Sequence, residues 1–388
     1  MDKLTVILER PAEPGRLQTA YIQNALDRCR ECGGEVVLSA GQWHIGSIRL
    51  YSNTTLRLSA GCQLIASDDW RDYENFQVPS TLGYLKSPFV VEAWNLPPHY
   101  IVAPIVAFDA ENVAVIGEEG AVIDGSDCFD PAGEEKFRGP MGMVFSRCRG
   151  VILKGYTYQN AANWAHQLDS CTGVHMENVK VLAGHDGINI HHCVGVTIEN
   201  CDFRTGDDCV AGYNAENVVI RNCGFNTSCN SFRFGGRNLL VEDCRFWGPG
   251  EYPHRVSGRH NTIYAIEYYA IRYDDIRVDS ENWTIRNCTF DHIDGFINYR
   301  YGKLWMHDSR PLKDLTLENV SIRGLSEASV LIPAAGNPMA ITMKNVDISW
   351  RKGIPAEGMF ITTPDVKLVL DNVRIEGFNS EGEWLWTC

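Results

Sequence analysis

Residues 173–227 read GVHMENVKVLAGHDGINIHHCVGVTIENCDFRTGDDCVAGYNAENVVIRNCGFNT. The stretch repeats one phrase three times: apolar and polar residues alternate over a short run, an Asn follows, and a second short run closes it. GVILKGYTYQN precedes it and NLLVEDCRFWG follows it. Aligned on the residue after the Gly or Asn, the copies sit at Val151, Val174, Val196, Val218 and Leu239, in steps of 23, 22, 22 and 21. The phrase returns at Trp283, at Leu315 and in KLVLDNVRIEG near the end, and an earlier copy starts at Asn112.

Period-two alternation broken by Asn, Gly or Asp marks short strands joined by tight turns. A period of about 22 residues is too short for a propeller blade or a helical hairpin, and the leucine pattern of a leucine-rich repeat is missing. One coil of a parallel β-helix fits. The expected fold is therefore all-β, a single solenoid domain over 1–388.

The period also sorts residues into columns. Five positions after each reference stand Val179, Cys201, Cys223, Cys244 and Cys288, an inward ladder of small side chains; Cys148, Cys171 and Cys193 form another. Buried free thiols are the expectation for most of the fourteen cysteines. The nearest approach to a zinc motif, CREC at 29–32, lacks a second pair and falls on a helix. Asn178, Asn200, Asn222 and Asn287, with Asp243 in the same column, are expected at a bend, each amide bonding its equivalent in the next coil.

A solenoid needs covered ends. GRLQTAYIQNALDRCRECGG, residues 15–34, carries apolar residues at Leu17, Ile22, Ala25, Leu26 and Cys29 and then two glycines, which predicts an amphipathic capping helix. The repeat breaks over 68–104 and 248–279. Long excursions from a regular scaffold tend to carry binding function, so both are expected at the rim of a site.

The carboxylates then fall into place on the coil. Twelve positions after the reference come Asp186, Asp208 and Asn230; eleven after come His185, Asp207 and Cys229. Asp186 and Asp208 are thus expected one rung apart, roughly 4.8 Å, with Asp207 beside them. A solvated turn does not need this register. Calcium would accept the oxygens, but His185 and Cys229 are poor company for it. Glycoside hydrolysis does want clustered carboxylates, one protonating the leaving oxygen and another activating water.

Bulk properties narrow the partners. A formal net charge of -14 disfavours nucleic acid or an anionic membrane as partner. No segment reaches the apolar length of a membrane span, and the first residues lack a signal-peptide core. A cytoplasmic location is the expectation.

At this point the motifs resemble those of a known family. GHDGINI (184–190), TGDDCV (205–210) and NAANWAHQLDSC (160–171), with GGEVVLSAGQWHIGSIRLYSNTTLRLSAGCQLIAS (33–67) before them, are similar in order and spacing to segments of glycoside hydrolase family 28, the polygalacturonase-like enzymes. The resemblance implies a right-handed β-helix and an inverting mechanism without metal or cofactor. It implies Asp207 as general acid, with Asp186 and Asp208 together activating the water. It extends to a substrate set of His185, Trp164, His166, Cys229, Asn230, Arg233, Asn298 and Arg300. Two departures stand out. Cys229 occupies the place of a family His, with His185 expected to compensate from the neighbouring coil. Of a basic uronate-gripping motif near INYR (297–300) only Arg300 remains, with Arg233 and His166 expected to add charge.

The expected partner is an oligosaccharide of pectin type, galacturonan or rhamnogalacturonan, attacked from a chain end. A uronate lyase and a non-catalytic carbohydrate-binding helix are the competing expectations.

Overall fold

In the computed structural model, residues 4–9, 17–272, 277–301, 310–355, 358–376 and 385–387 are described. The chain divides into two compact units, Met1–Asp202 and Phe203–Cys388.

In the first unit the alternating runs become short parallel strands whose register is that of the repeat. Val113 pairs with Val151, Val151 with Val174 and Val174 with Val196. Every second side chain turns inward, as in the alternating burial of Gly34–Leu38 and Thr54–Leu58. The strand Leu4–Leu8 pairs with Gly34–Leu38, so a strand precedes the helix. That helix, Thr19–Cys29, is shorter than the pattern over 15–34 indicated; residues 10–16 lie outside the described residues. Ile22, Ala25, Leu26 and Cys29 are its buried face, whereas Leu17 lies before it and is 38% exposed. Gly33 ends the turn at φ +72°, donating its N–H to the Cys29 carbonyl at 2.8 Å.

The excursion over 68–104 is ordered by its own short helices, Trp70–Asp72, Gly83–Lys86 and Pro88–Trp94. Ser87 caps the last, accepting from the Val90 N–H at 3.2 Å. The excursion is tied down where Asp169 accepts from the Thr81 N–H at 2.7 Å.

In the second unit the same column runs Val218, Leu239, Trp283, Leu315, Ile341 and Leu368, each paired in parallel with the next. Phe203, Phe225, Phe246 and Phe290 stack in its core at centroid separations of 5.4, 4.8 and 4.3 Å. The excursion after Trp247 contains a strand of its own. Tyr264–Tyr268 is a regular strand between Asn230–Glu242 and Gly295–Arg300, and it divides the excursion. The alternation in YAIEY is that strand's signature.

The cysteine columns hold. Cys148, Cys171 and Cys193 are buried and free, with the Cys171 N–H 3.3 Å from the Cys193 sulfur. Cys201, Cys223, Cys244 and Cys288 are likewise buried and free. The asparagine column holds in conformation and partly in bonding. Asn178, Asn200, Asn222, Asp243 and Asn287 all take positive φ. The amide ladder runs from Asp243 through Asn287, Asn319 and Asn345 to Asn372, in steps of 3.1, 3.1, 3.0 and 2.7 Å. Asn178 instead donates to its neighbour Glu177. Both units are thus built from coils of a right-handed parallel β-helix. Among the described residues no helix is long and apolar enough to cross a membrane.

Candidate active site

In the first unit a sharp turn precedes the strand Ile188–His191. Ala183 and Gly184 both have positive φ, and a Cβ on Gly184 would lie 2.6 Å from the Ala161 carbonyl oxygen. Only glycine allows that approach, which delivers His185 and Asp186 to the start of the strand. Asp186 is 2% exposed; Asn189 Nδ2 donates to its Oδ2 at 2.9 Å, and its own carbonyl accepts from the Ala165 N–H. His185 is also buried, its ring 5.7 Å from Phe137.

Two residues expected on the cleft wall are elsewhere. His166 is fully buried. A carbonyl can only accept, so Nδ1–H donates to Gly187 O at 3.0 Å, and Nε2 accepts from the Tyr156 hydroxyl at 3.0 Å. Burial pulls its pKa down to about 4, so it is a neutral core residue and adds no charge to a substrate site. The register shows why: its column is Met143, His166 and Ile188. Trp164 is 3% exposed, packed against Tyr84 at 6.1 Å, Tyr100 at 5.8 Å and His191 at 5.7 Å. The first excursion roofs it. Beside that roof lies a cavity of about 270 Å³, whose lining includes Trp70, Tyr73, His99, Glu134, Arg138 and Asn163. Trp70 stacks on His99 at 5.4 Å, and His99 contacts Asp130 at 2.8 Å. Burial pushes the Glu134 carboxyl up, against the opposing charge of Arg138.

In the second unit the turn between Asp202–Thr205 and Val210–Arg221 presents the paired carboxylates. The hydroxyls of Thr205 and Thr227 both donate to the Asp207 carbonyl, the first at 2.7 Å, which holds the turn. Asp208 points into a buried socket, its side chain 3% exposed. Arg233 Nε donates to its Oδ2 at 2.6 Å, while Asn230 donates to its Oδ1 from Nδ2 at 2.9 Å and from the backbone at 3.2 Å. Burial pushes the Asp208 carboxyl up, with the Arg233 guanidinium opposing and the Asp207 charge adding to the rise. Arg233 also lies over the Tyr269 ring, 4.6 Å from its centroid. It therefore holds Asp208 in place, while its side chain stays 21% exposed.

Asp207 faces the other way. Its side chain is 14% exposed and its Oδ1 accepts from the Asp208 N–H at 3.1 Å. Beside it lie the Cys229 thiol and the ring of His254 from the second excursion, with potential donor atoms of the three residues within 4.8 Å of one another. Arg259 donates to the Cys229 sulfur at 3.2 Å. Burial and the two carboxylates nevertheless hold the thiol well above its usual range, so Cys229 stays protonated.

Further along, Arg233, Glu267 and Asn298 stand in successive strands on one register. Asn298 donates to Glu267 at 2.6 Å, while its Oδ1 is buried and finds no partner among the described residues. Arg300, two positions on and so on the same face, is exposed. Sequence reasoning passed over His254, Arg259, Glu267 and Tyr269, because they lie in the stretch 248–279 that breaks the repeat. The strand-like alternation of YAIEY was the signal for Glu267.

Residues 89–228 match the sequence model of Glycosyl hydrolases family 28. No curated protein matches the chain. Among solved structures, a hyperthermoactive exopolygalacturonase from Thermotoga maritima is similar at TM-score 0.73 and 16% identity, covering 96% of this chain and 92% of that one. A polygalacturonase from Erwinia carotovora ssp. carotovora is similar at TM-score 0.66 and 18% identity, with 96% of each chain covered. PfbA, a surface adhesin of Streptococcus pneumoniae, shares the fold at TM-score 0.64 and 14% identity over 94% of this chain and 89% of that one. Identities this low speak for the fold, and the family match, which spans Trp164, Asp186, Asp207 and Asp208, speaks for the chemistry. Over residues 89–228 the chain is thus similar to Glycosyl hydrolases family 28, on a β-helix fold shared with polygalacturonases.

Proposed function

We propose that this hydrolase inverts the anomeric centre and releases units from a chain end of pectin-type oligosaccharides, galacturonan or rhamnogalacturonan. One observation carries the reading: two adjacent carboxylates sit in different environments. Asp208 is buried and fixed by three donors, whereas Asp207 is partly exposed, at 14%. Neighbouring carboxyls with different surroundings divide acid and base work.

Asp207 protonates the glycosidic oxygen as the C–O bond breaks. Water attacks the anomeric carbon from the opposite face and gives its proton to Asp208 and Asp186. Asp186 joins them on the strength of the repeat, which sets it 22 residues before Asp208. The product leaves with inverted configuration.

An acidic sugar suits the exposed Arg300, whose guanidinium donates to a carboxylate. Action from a chain end is supported by the ordered first excursion, which roofs Trp164 with Tyr84 and Tyr100. A reducing, cytoplasmic setting suits the columns of free thiols.

Defined galacturonan and rhamnogalacturonan oligosaccharides, followed by proton NMR, test this. The expected result is stepwise shortening with the first-formed product in the inverted anomer. A retained anomer, an unsaturated product or a random ladder of fragments would overturn mechanism, reaction class or mode of attack respectively.

A further inference from the structure

We infer that His254, carried by the loop between Trp247 and Tyr264, is a positioning residue for the acid Asp207, holding its carboxyl as it loses its proton; this rests on the reading of Asp207 as general acid.

The loop is pinned where it matters. Asn226, fully buried, donates to the carbonyls of Trp247 and Pro249 at 2.9 Å each and accepts from the Glu251 N–H at 2.7 Å. Ser228 donates to the Tyr252 carbonyl at 2.5 Å, and Arg259 Nε donates to the Ser228 carbonyl at 3.0 Å. Between these anchors the His254 N–H bonds the Arg259 carbonyl at 2.9 Å, and the Gly258 N–H bonds the His254 carbonyl at 2.8 Å. The histidine is thus seated by a closed turn rather than by a free loop.

The turn also selects the ring's tautomer. The Ser257 N–H points at Nδ1 from 3.3 Å, with the Ser257 hydroxyl at 3.0 Å. A backbone N–H can only donate, so Nδ1 is the acceptor and the neutral ring carries its proton on Nε2. That Nε2 lies 3.7 Å from Asp207 Oδ2, and the side chain is 12% exposed. The gap is longer than a hydrogen bond, as catalytic contacts often are without substrate. While Asp207 is protonated the contact is worth little. As the proton leaves for the glycosidic oxygen, negative charge grows on the carboxyl, and an aimed N–H donor stabilises it increasingly. The Asp208 N–H on Oδ1 and the protonated Cys229 thiol complete the surround. A metal among Asp207, Cys229 and His254 would have to compete with the Arg259 guanidinium already against the sulfur, which favours the hydrogen-bonding role.

The test uses the full chain with two substrates, trigalacturonate and 4-nitrophenyl α-D-galacturonide, whose leaving group needs no proton. His254→Ala should lower kcat on trigalacturonate by ~10–100-fold with little change in KM, and spare the nitrophenyl substrate. His254→Gln, whose amide N–H reaches the same point, should recover most of the loss. Equal losses on both substrates, or no recovery with Gln, would overturn the inference while leaving the acid assignment intact. If Asp207→Asn itself fails to spare the nitrophenyl substrate, the acid assignment falls instead. Independently of turnover, 15N NMR should find neutral His254 as the Nε2–H tautomer, and an Nδ1–H tautomer would sink the proposal.

Discussion

Asp207 and Asp208 are neighbours in sequence and opposites in surroundings, and that difference generates the sharpest expectations. Asp207→Asn keeps the shape but has no proton to transfer. Turnover of an ordinary glycoside should fall by about two to four orders of magnitude, with substrates of good leaving groups largely spared. Asp186→Asn and Asp208→Asn should lose both substrates alike, because each still needs an activated water. Steady-state kinetics of the three variants on the two substrate types decide the assignment. Arg233 supplies a second check. Its guanidinium opposes the rise that burial forces on the Asp208 carboxyl. Arg233→Met removes that opposition, so Asp208 takes up its proton at higher pH. The acid limb of the kcat/KM profile should then move to higher pH, and an unmoved limb would mean that Arg233 does not govern the base.

The strand column is the unit of stability. Phe225 lies between Phe203 and Phe246 in the stacked core of the second unit, and is fully buried. Phe225→Ala should cost about 3–5 kcal/mol in denaturant unfolding, from lost transfer free energy plus the cavity left behind. A cost under about 1 kcal/mol would mean that the column collapses around the gap. The thiol columns make a chemical prediction. Cys32 is exposed, whereas the other described cysteines are buried. Ellman's reagent on the native chain should find Cys32 reacting quickly among these thiols, and the rest only on unfolding. Rapid reaction of the Cys148 column would contradict its inward register.

For the whole molecule, acid sensitivity follows from burying a neutral histidine. His166 falls from its ordinary 6.5 to about 4 in the fold. Between those values the unfolded chain binds the extra proton, so stability is complete above about pH 6.5 and lost as pH falls toward about 4. The loss is about 3 kcal/mol from this group. Denaturant unfolding at pH 7.5 and 4.5 should show that difference between the native chain and His166→Gln, whose stability lacks this slope. The same residue marks the boundary of what the sequence could say. Strand pairing is local and periodic, so a 22-residue repeat determined the parallel coils, the thiol and asparagine columns and the shared register of Val151, Val174 and Val196. The column rule, applied to His166, would have set it beside Met143 and Ile188 in the core. The motif pointed outward instead, and the buried environment contradicts it. Other assignments had no periodic signal at all. Trp164 is enclosed because an excursion folds back over it, and Arg233 is engaged because the Asp208 socket opens within reach of its guanidinium. His254 meets Asp207 because Asn226 and Ser228 pin a loop across 47 residues of chain. A repeat determines which residues share a column, through the fixed rise and pleat of the strand. What covers a column, and which loop side chain completes a site, is decided by contacts between segments far apart in sequence, and only the tertiary structure holds those.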